Sequence, residues 1–290
     1  MKINVFILNW NSSASTKDCI NSIVASDDKN FRIILINNFY SKVDLVEVQS
    51  IYKSYKSKIE IYLVENDTNL GYAGGNNMGL KFLEDNNLQG DILILNPDIL
   101  VMKNTISEMR KASINGVGIV TVRTLNSDGK ILFDAINFKG FMQFDEISDQ
   151  DAFSTNYSQG SCMLIKRSII DQIGLFDERF FLYWEEIDFS LRVKKLGQKL
   201  ISITVTQIIK KNNSESRQPI SFYYSVRNAK LIKEKYGENF SNSAYLKYLL
   251  KMLLLTFKFI LKPQLFLKVI LNYFSAIHDS FLNKFYYKPM

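Results

Sequence analysis

A chain of 290 residues, 47% hydrophobic and 22% charged, is long enough for one sizeable α/β domain with an appendage and too apolar to be disordered. Its two cysteines, Cys19 and Cys162, form no ligand spacing or disulfide framework, and the lone histidine, His278, excludes histidine zinc sites and histidine-centred triads in the main body. The net charge of +7 is uneven: 14 Lys/Arg stand against 4 Asp/Glu from Val205 onward and 22 against 25 before it, so an anionic partner is expected for the tail.

Met1-Lys2 leads straight into an apolar run at 3–8 that ends on Asn9-Trp10-Asn11, which predicts a strand and a polar turn, with no secretory leader. A helix is predicted over 16–24, a second buried strand over 31–36 ending on Asn37-Asn38, a helix over 43–55 and a third strand over 59–64. The glycine-rich segment 69–79 follows, expected as a loop leading into a helix that ends near Asn87. It comes after the third strand and lacks the G-x-G-x-x-G spacing, so a dinucleotide fold is not indicated. A fourth strand over 91–95 ends on Asn96-Pro97-Asp98. Strands alternating with helices, each strand ending in polar residues, predict a mostly parallel sheet with its site along the strands' C-terminal edge. Helical periodicity fades over 117–157, where added strands and a turn at 126–129 are expected, and a β-branched run at 200–209 and a helix over 220–236 come later.

The stretch 160–197 is the most informative. Glu185, Glu186 and Asp188 crowd together just after Phe180, Phe181, Tyr183 and Trp184, and Phe189, Leu191, Arg192, Val193 and Leu196 then recur at helical spacing up to Gly197. Acids at a helix N-terminus are favoured in ionised form by the backbone dipole, whereas aromatic surroundings push a carboxyl pKa up towards the range of a useful base. Asp188 and Arg192 also make an ordinary i, i+4 pair.

In the tail, Lys247, Lys251, Lys258 and Lys262 fall on one helical face, Pro263 breaks the helix, and Lys268, Asn272, Ser275, Asp279 and Asn283 mark a second polar stripe. Neither half has the ~18 charge-free residues of a spanning helix. Wide apolar faces with lysine stripes predict helices lying in the interface of an anionic membrane through residues 243–290; a hairpin packed on the body is the alternative. Leucines and aromatics are not interleaved with arginine, so nucleic acid is not an expected partner.

Taken in order and spacing, Ile7-Leu8-Asn9-Trp10-Asn11, Ile36-Asn37-Asn38, the 69–79 segment, Leu95-Asn96-Pro97-Asp98, residues 160–197 and residues 223–228 resemble family 2 glycosyltransferases of the GT-A fold, in particular the bacterial rhamnosyltransferase branch of polysaccharide assembly. The resemblance covers residues 3–235. It implies an α/β, Rossmann-like GT-A domain at 1–240, with a mostly parallel sheet and helices on both faces, followed by an amphipathic helical tail at 241–290.

It further implies a nucleotide-sugar donor held by Leu8, Asn9, Asn11, Asn37, Asn69, Gly71, Gly74, Asn77, Asn96 and Lys210, and Mg²⁺ or Mn²⁺ held by Asp98. Glu186 takes the place of the family's catalytic Asp as general base, with Glu185 behind it, and Tyr183 or Trp184 would stack on acceptor sugar. Asn37 replaces the family's base-reading Asp, and Lys210 replaces its late His, with Ser214 or Ser216 beyond. The implied activity is inverting transfer of a sugar, rhamnose from dTDP-rhamnose as first choice, to a lipid-linked or growing glycan in O-antigen or capsule synthesis. The implied place is the cytoplasmic membrane's inner face, peripherally bound. A donor-binding paralogue without turnover is the rival reading.

Overall fold

Apolar, β-branched runs with no polar alternation make strands that are covered on both faces. In the computed structural model, which describes residues 1–211 and 218–285, those runs form the centre of one sheet. The first half reads β1 Ile3–Asn9, α1 Ser13–Val24, β2 Phe31–Asn37, α2 Lys42–Tyr55, β3 Ile61–Glu65, α3 Gly71–Asp85 and β4 Ile92–Leu95. The second continues with β5 Ile99–Val101, α4 Thr105–Ala112, β6 Val117–Leu125, β7 Ile131–Phe133, β8 Ala135–Lys139, β9 Met142–Glu146, β10 Ala152–Thr155, β11 Cys162–Ile165, α5 Arg167–Ile173, α6 Glu185–Lys195, β12 Lys199–Lys210, α7 Gln218–Lys235, α8 Asn242–Thr256 and α9 Pro263–Phe281.

The sheet order is β10-β12-β6-β11-β4-β1-β2-β3, with β5 on β12 and β7 on β6. The strands β4, β1, β2 and β3 are parallel neighbours, and β11 runs antiparallel between β4 and β6. Alternate residues feed two layers. Val5, Ile7, Ile33 and Leu35 pack with Ile20, Ile23 and Val48 of α1 and α2 on one face; Phe6, Ile34 and Ile36 pack with Leu80, Ile169 and Phe189 of α3, α5 and α6 on the other. The fold is therefore the expected α/β sheet with helices on both faces.

Two details position the site. The pairing of β12 with β6 jumps between Ile203 and Gln207, and beyond that bulge β12 also pairs with β5, so that Lys210 lies opposite Ile99. The expected turn closes at Asn126–Lys130, with Gly129 at φ +79°.

The glycine-rich segment is a finding against expectation. It is helical from Gly71, not a loop. A Cβ at Gly75 would lie 2.5 Å from Leu8, and one at Gly79 would lie 2.7 Å from Ile36 and 2.9 Å from Phe6. The glycines let α3 approach β1 and β2 closely.

The tail is a helical hairpin packed on α7. Val269, Tyr273 and Ala276 are buried, Tyr223 Oη donates to Asp279 at 2.8 Å, and Asn272 Nδ2 donates to the Pro219 carbonyl at 3.1 Å. Part of the polar stripe of α9 thus faces the body. Leu267, Leu271, Phe274 and Phe281, recurring at helical spacing, are exposed, as are Leu246, Leu250, Leu254 and Phe257. None of the described helices is long and apolar enough to cross a membrane.

Candidate active site

The acids of α6 are delivered by a turn that few sequences adopt. After a 3-10 turn at Glu178–Phe180, Phe181 (φ +61°), Tyr183 (φ +68°) and Trp184 (φ +76°) all lie in the left-handed region. The Leu182 N–H reaches back to the Phe180 carbonyl at 2.6 Å, a tight turn centred on Phe181. Each such residue costs of the order of 1–3 kcal/mol, so the surroundings must over-determine the turn. The Phe181 carbonyl accepts from the Tyr72 and Ala73 N–H groups at 2.6 and 3.2 Å, which ties the turn to the start of α3. Gly71, at φ +71°, is required there because a Cβ would lie 2.3 Å from that same carbonyl oxygen. The first amides of α3 therefore meet protein, not ligand.

Glu185 is buried, and its Oε2 makes no hydrogen bond in the described structure. Burial holds its carboxyl well above the ordinary range, and the neighbouring Glu186 charge adds to the rise. Glu186 is half-buried. Burial raises it to about 7, against the relief given by its own backbone N–H, that of Gly160 and the charge of Lys210. Gly160 has no side chain because there is no room for one: a Cβ would stand 2.7 Å from Glu186 Oε1 and 2.7 Å from the Tyr72 hydroxyl. That hydroxyl donates to the Gly160 carbonyl at 2.5 Å. Burial thus drives both carboxyls towards the protonated form, Glu186 to about 7, which is the range of a proton acceptor near neutral pH. Asp188 is spent on structure, with Arg192 Nε at 2.8 Å, Tyr236 Oη at 2.8 Å and Lys235 Nζ at 2.5 Å.

Asp98 reaches the same edge by a chain of contacts. The Asn96 N–H donates to the Ser161 carbonyl at 3.0 Å, next to Gly160, and the Lys211 N–H donates to the Asp98 carbonyl at 2.9 Å. Lys210, whose charge bears on Glu186, is thus one residue from a backbone bond to Asp98. Asp98 is partly exposed, and its carboxylate makes no hydrogen bond or ion pair among the described residues. Ser214 and Ser216 lie outside the described residues.

Other predicted site residues fall behind the surface. Asn9 is fully buried: Nδ2 donates to Asp44 at 2.9 Å, and Oδ1 accepts from Thr16 at 2.8 Å and Ser12 at 3.2 Å. Asn37 is equally buried beside it; its Oδ1 accepts from Asn9 Nδ2 at 3.4 Å and its Nδ2 has no partner in the described structure. The Asn11 N–H donates to Asp44 at 3.3 Å. Leu8 packs against Gly75, and Gly74 lies 3.0 Å (as a built Cβ) from Leu70. Asn69 Oδ1 accepts from Gly71 N–H and Asn38 Nδ2, both at 2.9 Å. Asn77 is engaged at both ends, donating to the Phe176 carbonyl and Glu178 at 2.9 Å each and accepting from Phe176 N–H at 3.1 Å. It braces the wall instead of facing a ligand.

The aromatics expected on the acceptor are likewise structural in this state. Trp184 is 8% exposed, its ring set edge-on against Phe141, Phe240 and Tyr248 and its Nε1 donating to the Ser225 carbonyl at 3.0 Å, so no ring face is open for a sugar. Tyr183 Oη meets Ser221 Oγ at 2.7 Å. Sequence reasoning passed over Tyr72, Gly160, Asn38 and Asp44; only the polar strand-end position of Asn38 hinted at a role.

Known proteins resemble this chain in sequence and in fold. The profile of Glycosyl transferase family 2 matches residues 4–174. A low-salt glycan biosynthesis hexosyltransferase, Agl10, of Haloferax volcanii is 29% identical over 177 residues, covering 55% of this chain and 57% of that protein. An N-acetylglucosaminyl-diphospho-decaprenol L-rhamnosyltransferase of Mycobacterium tuberculosis is 38% identical over 63 residues, 21% of this chain and 20% of its own. The chain thus spans little more than half the length of the first relative and a fifth of the second. Among solved structures, the mannosyltransferase PcManGT of Pyrobaculum calidifontis, in complex with GDP-Man and Mn²⁺, superposes with a TM-score of 0.61 at 11% identity over 96% of this chain and 75% of that one. With the profile matching more than half its length and the GT-A architecture around that match, the chain belongs to glycosyl transferase family 2.

Proposed function

We propose that this chain is an inverting, metal-dependent glycosyltransferase that moves a sugar from a nucleotide diphosphate to a lipid-linked or growing glycan acceptor. The observation that carries the reading is a juxtaposition: the Glu186 carboxyl lies against Gly160, whose neighbour Ser161 is bonded to Asn96 on the same sheet edge as Asp98 and Lys210. Glu186 takes the acceptor hydroxyl proton as that oxygen forms its bond to the anomeric carbon, and the bond to the diphosphate breaks on the opposite face. Lys210 is a point charge for the leaving diphosphate.

Asp98 and the Asn96 amide suit Mg²⁺ or Mn²⁺, since such ions use one or two protein oxygens and complete their shell with substrate phosphates and water. Bound there, the ion would supply charge stabilisation for the departing diphosphate. Rhamnose from dTDP-rhamnose is the first donor to test, given the resemblance to a rhamnosyltransferase and the match to the mycobacterial one, with O-antigen or capsule synthesis as the setting.

An anionic membrane is the partner of residues 243–290. Supporting this are the outward Leu246, Leu250, Leu254, Leu267, Leu271 and Phe274, with the exposed Lys247, Lys251, Lys258, Lys262 and Lys268 among them. Such binding would put the site peripherally at the cytoplasmic face of the membrane.

The test is incubation of the full chain with candidate nucleotide sugars, a lipid-diphosphate acceptor, Mn²⁺ and anionic vesicles. Transfer that Glu186→Gln and Asp98→Asn abolish is expected. Binding without transfer for every donor would leave only the non-catalytic paralogue.

A further inference from the structure

The block Tyr223–Asn228 stands out in the sequence, yet nothing in the reaction above uses it. Arg227 and Asn228 are both fully buried on α7. Asn228 Nδ2 lies 2.7 Å from the Phe180 carbonyl, 2.9 Å from that of Leu182 and 2.8 Å from that of Tyr183. Arg227 Nη2 donates to the carbonyls of Arg179 and Phe180, both at 2.9 Å. Its Nε donates to Asn228 Oδ1 at 2.8 Å, which fixes the amide with its NH₂ towards the turn. The guanidinium is in turn held over the Tyr224 ring, 4.7 Å from its centre. Two consecutive side chains thus take up four carbonyls of the segment 179–183, the one that carries the left-handed residues ahead of α6.

We propose that Arg227 and Asn228 are positioning residues: by gathering the 179–183 carbonyls they hold the left-handed turn that sets the Glu186 carboxylate against Gly160. The geometry argues for this over simple core packing. An apolar pair of the same volume would fill the space equally well, but would leave four turn carbonyls without these donors in a dry environment. The turn's tether at Phe181, to Tyr72 and Ala73, lies on α3, and the Trp184 ring is packed by Phe141, Phe240 and Tyr248, whereas the carbonyls on either side of Phe181 are met by Arg227 and Asn228 from α7.

The inference rests on the proposed role of Glu186 only for its consequence, so its test does not need turnover. The full chain is labelled with ¹³C at glutamate carboxyls, and Glu186 is assigned by the resonance lost in Glu186→Gln. It is then titrated in the wild type, in Asn228→Ala and in Arg227→Met. The titratable groups around Glu186 are Glu185 and Asp188 on its own helix, Lys210 at the end of β12, Tyr72 on α3 and Tyr157 before β11; none is altered.

The wild-type midpoint should lie near 7. In the variants it should fall by about one pH unit or more, as the released turn lets water reach the carboxylate. Cooperative melting confirms that each variant is folded. Should Asn228→Ala fail to fold, Asn228→Ser, which keeps one hydroxyl donor, and Arg227→Lys, which keeps the cation, carry the same measurement. An unchanged midpoint in any folded variant that lacks the Asn228 amide overturns the proposal, as does an ordinary carboxylate midpoint in the wild type. A chain that transferred no sugar would still give the shift, so the two readings fail separately.

Discussion

Gly160→Ala tests the site with a single methyl group. Gly160 is not among the residues with positive φ, so alanine fits its backbone and the perturbation is steric alone. The new Cβ would stand 2.7 Å from Glu186 Oε1 and 2.8 Å from its Cγ, whereas ordinary contact begins at 3.4 Å, so the carboxylate must retreat by about 0.7 Å. A misplacement of ~1 Å at a reacting group can cost ~100-fold, so kcat should fall by roughly 10–100-fold. Crowding of this kind should also lower stability by about 1–3 kcal/mol. Gly118→Ala is the matched control: its Cβ would meet Val193 Cγ1 at 2.7 Å, two turns along α6 and away from the acids. Steady-state release of nucleotide diphosphate, alongside thermal melts, separates the outcomes. Both variants should lose stability, and only Gly160→Ala should lose turnover per folded molecule. Equal kcat losses in the two, or a Gly160→Ala kcat within about twofold of wild type, would refute the placement of the base, since both variants crowd α6 but only Gly160→Ala displaces the Glu186 carboxylate directly.

Transfer rate should rise with pH through about 7 and level off above it, because the base works only when deprotonated. Stability should move the other way: folded Glu186 holds its proton up to about 7 against an ordinary 4.5, so the folded state binds the extra proton in that window and denaturant melts should weaken as pH rises across it. Gly71→Ala should cost about 2–4 kcal/mol in urea unfolding, since it adds a left-handed alanine to a clash with a fixed backbone oxygen. Gly116→Ala, at φ +81° with nothing near its Cβ, should cost only the conformational part, about 1–2 kcal/mol. Neutralising Lys247, Lys251 and Lys258 to glutamine should weaken flotation on phosphatidylglycerol vesicles by roughly 100-fold at low salt, at about 1 kcal/mol per lysine; unchanged flotation would exclude these lysines as the membrane contact.

The central strands are legible because parallel, doubly covered strands are written as mainly apolar runs, and 31–37 is buried at every position, Arg32 included. Asp188 with Arg192 was legible for a similar reason: its partner lies within one helical turn. The glycine run was not, because local rules read clustered glycines as a loop, whereas here they answer to β1, β2 and Phe181, which lie far away in sequence. Tyr72 and Gly160 meet across 88 residues, and Asn228 reaches its carbonyls across 45 to 48, distances at which no periodicity carries a signal. The packing of Trp184 is not legible, because an aromatic beside acids suits a sugar platform and a core plug equally well, and its contacts with Phe141, Phe240 and Tyr248 come from distant segments.

The sequence leaves two opposing forces on the acids at the start of α6, and magnitudes decide between them. A helix N-terminus stabilises a carboxylate by about 0.3–1 kcal/mol, less than the ~1.4 kcal/mol that one pKa unit represents. Glu186 is instead pushed up to about 7, in the opposite direction, with burial the largest cause. Burial therefore wins over the dipole and over Lys210 together. Burial at this position is not a property of α6: it comes from Gly160 closing on one side, Tyr72 behind it, and a left-handed turn that brings the helix start inward. Basicity is thus set by residues far from the acid in sequence, and substitutions at positions 72, 160 and 228 should move it while leaving α6 itself intact.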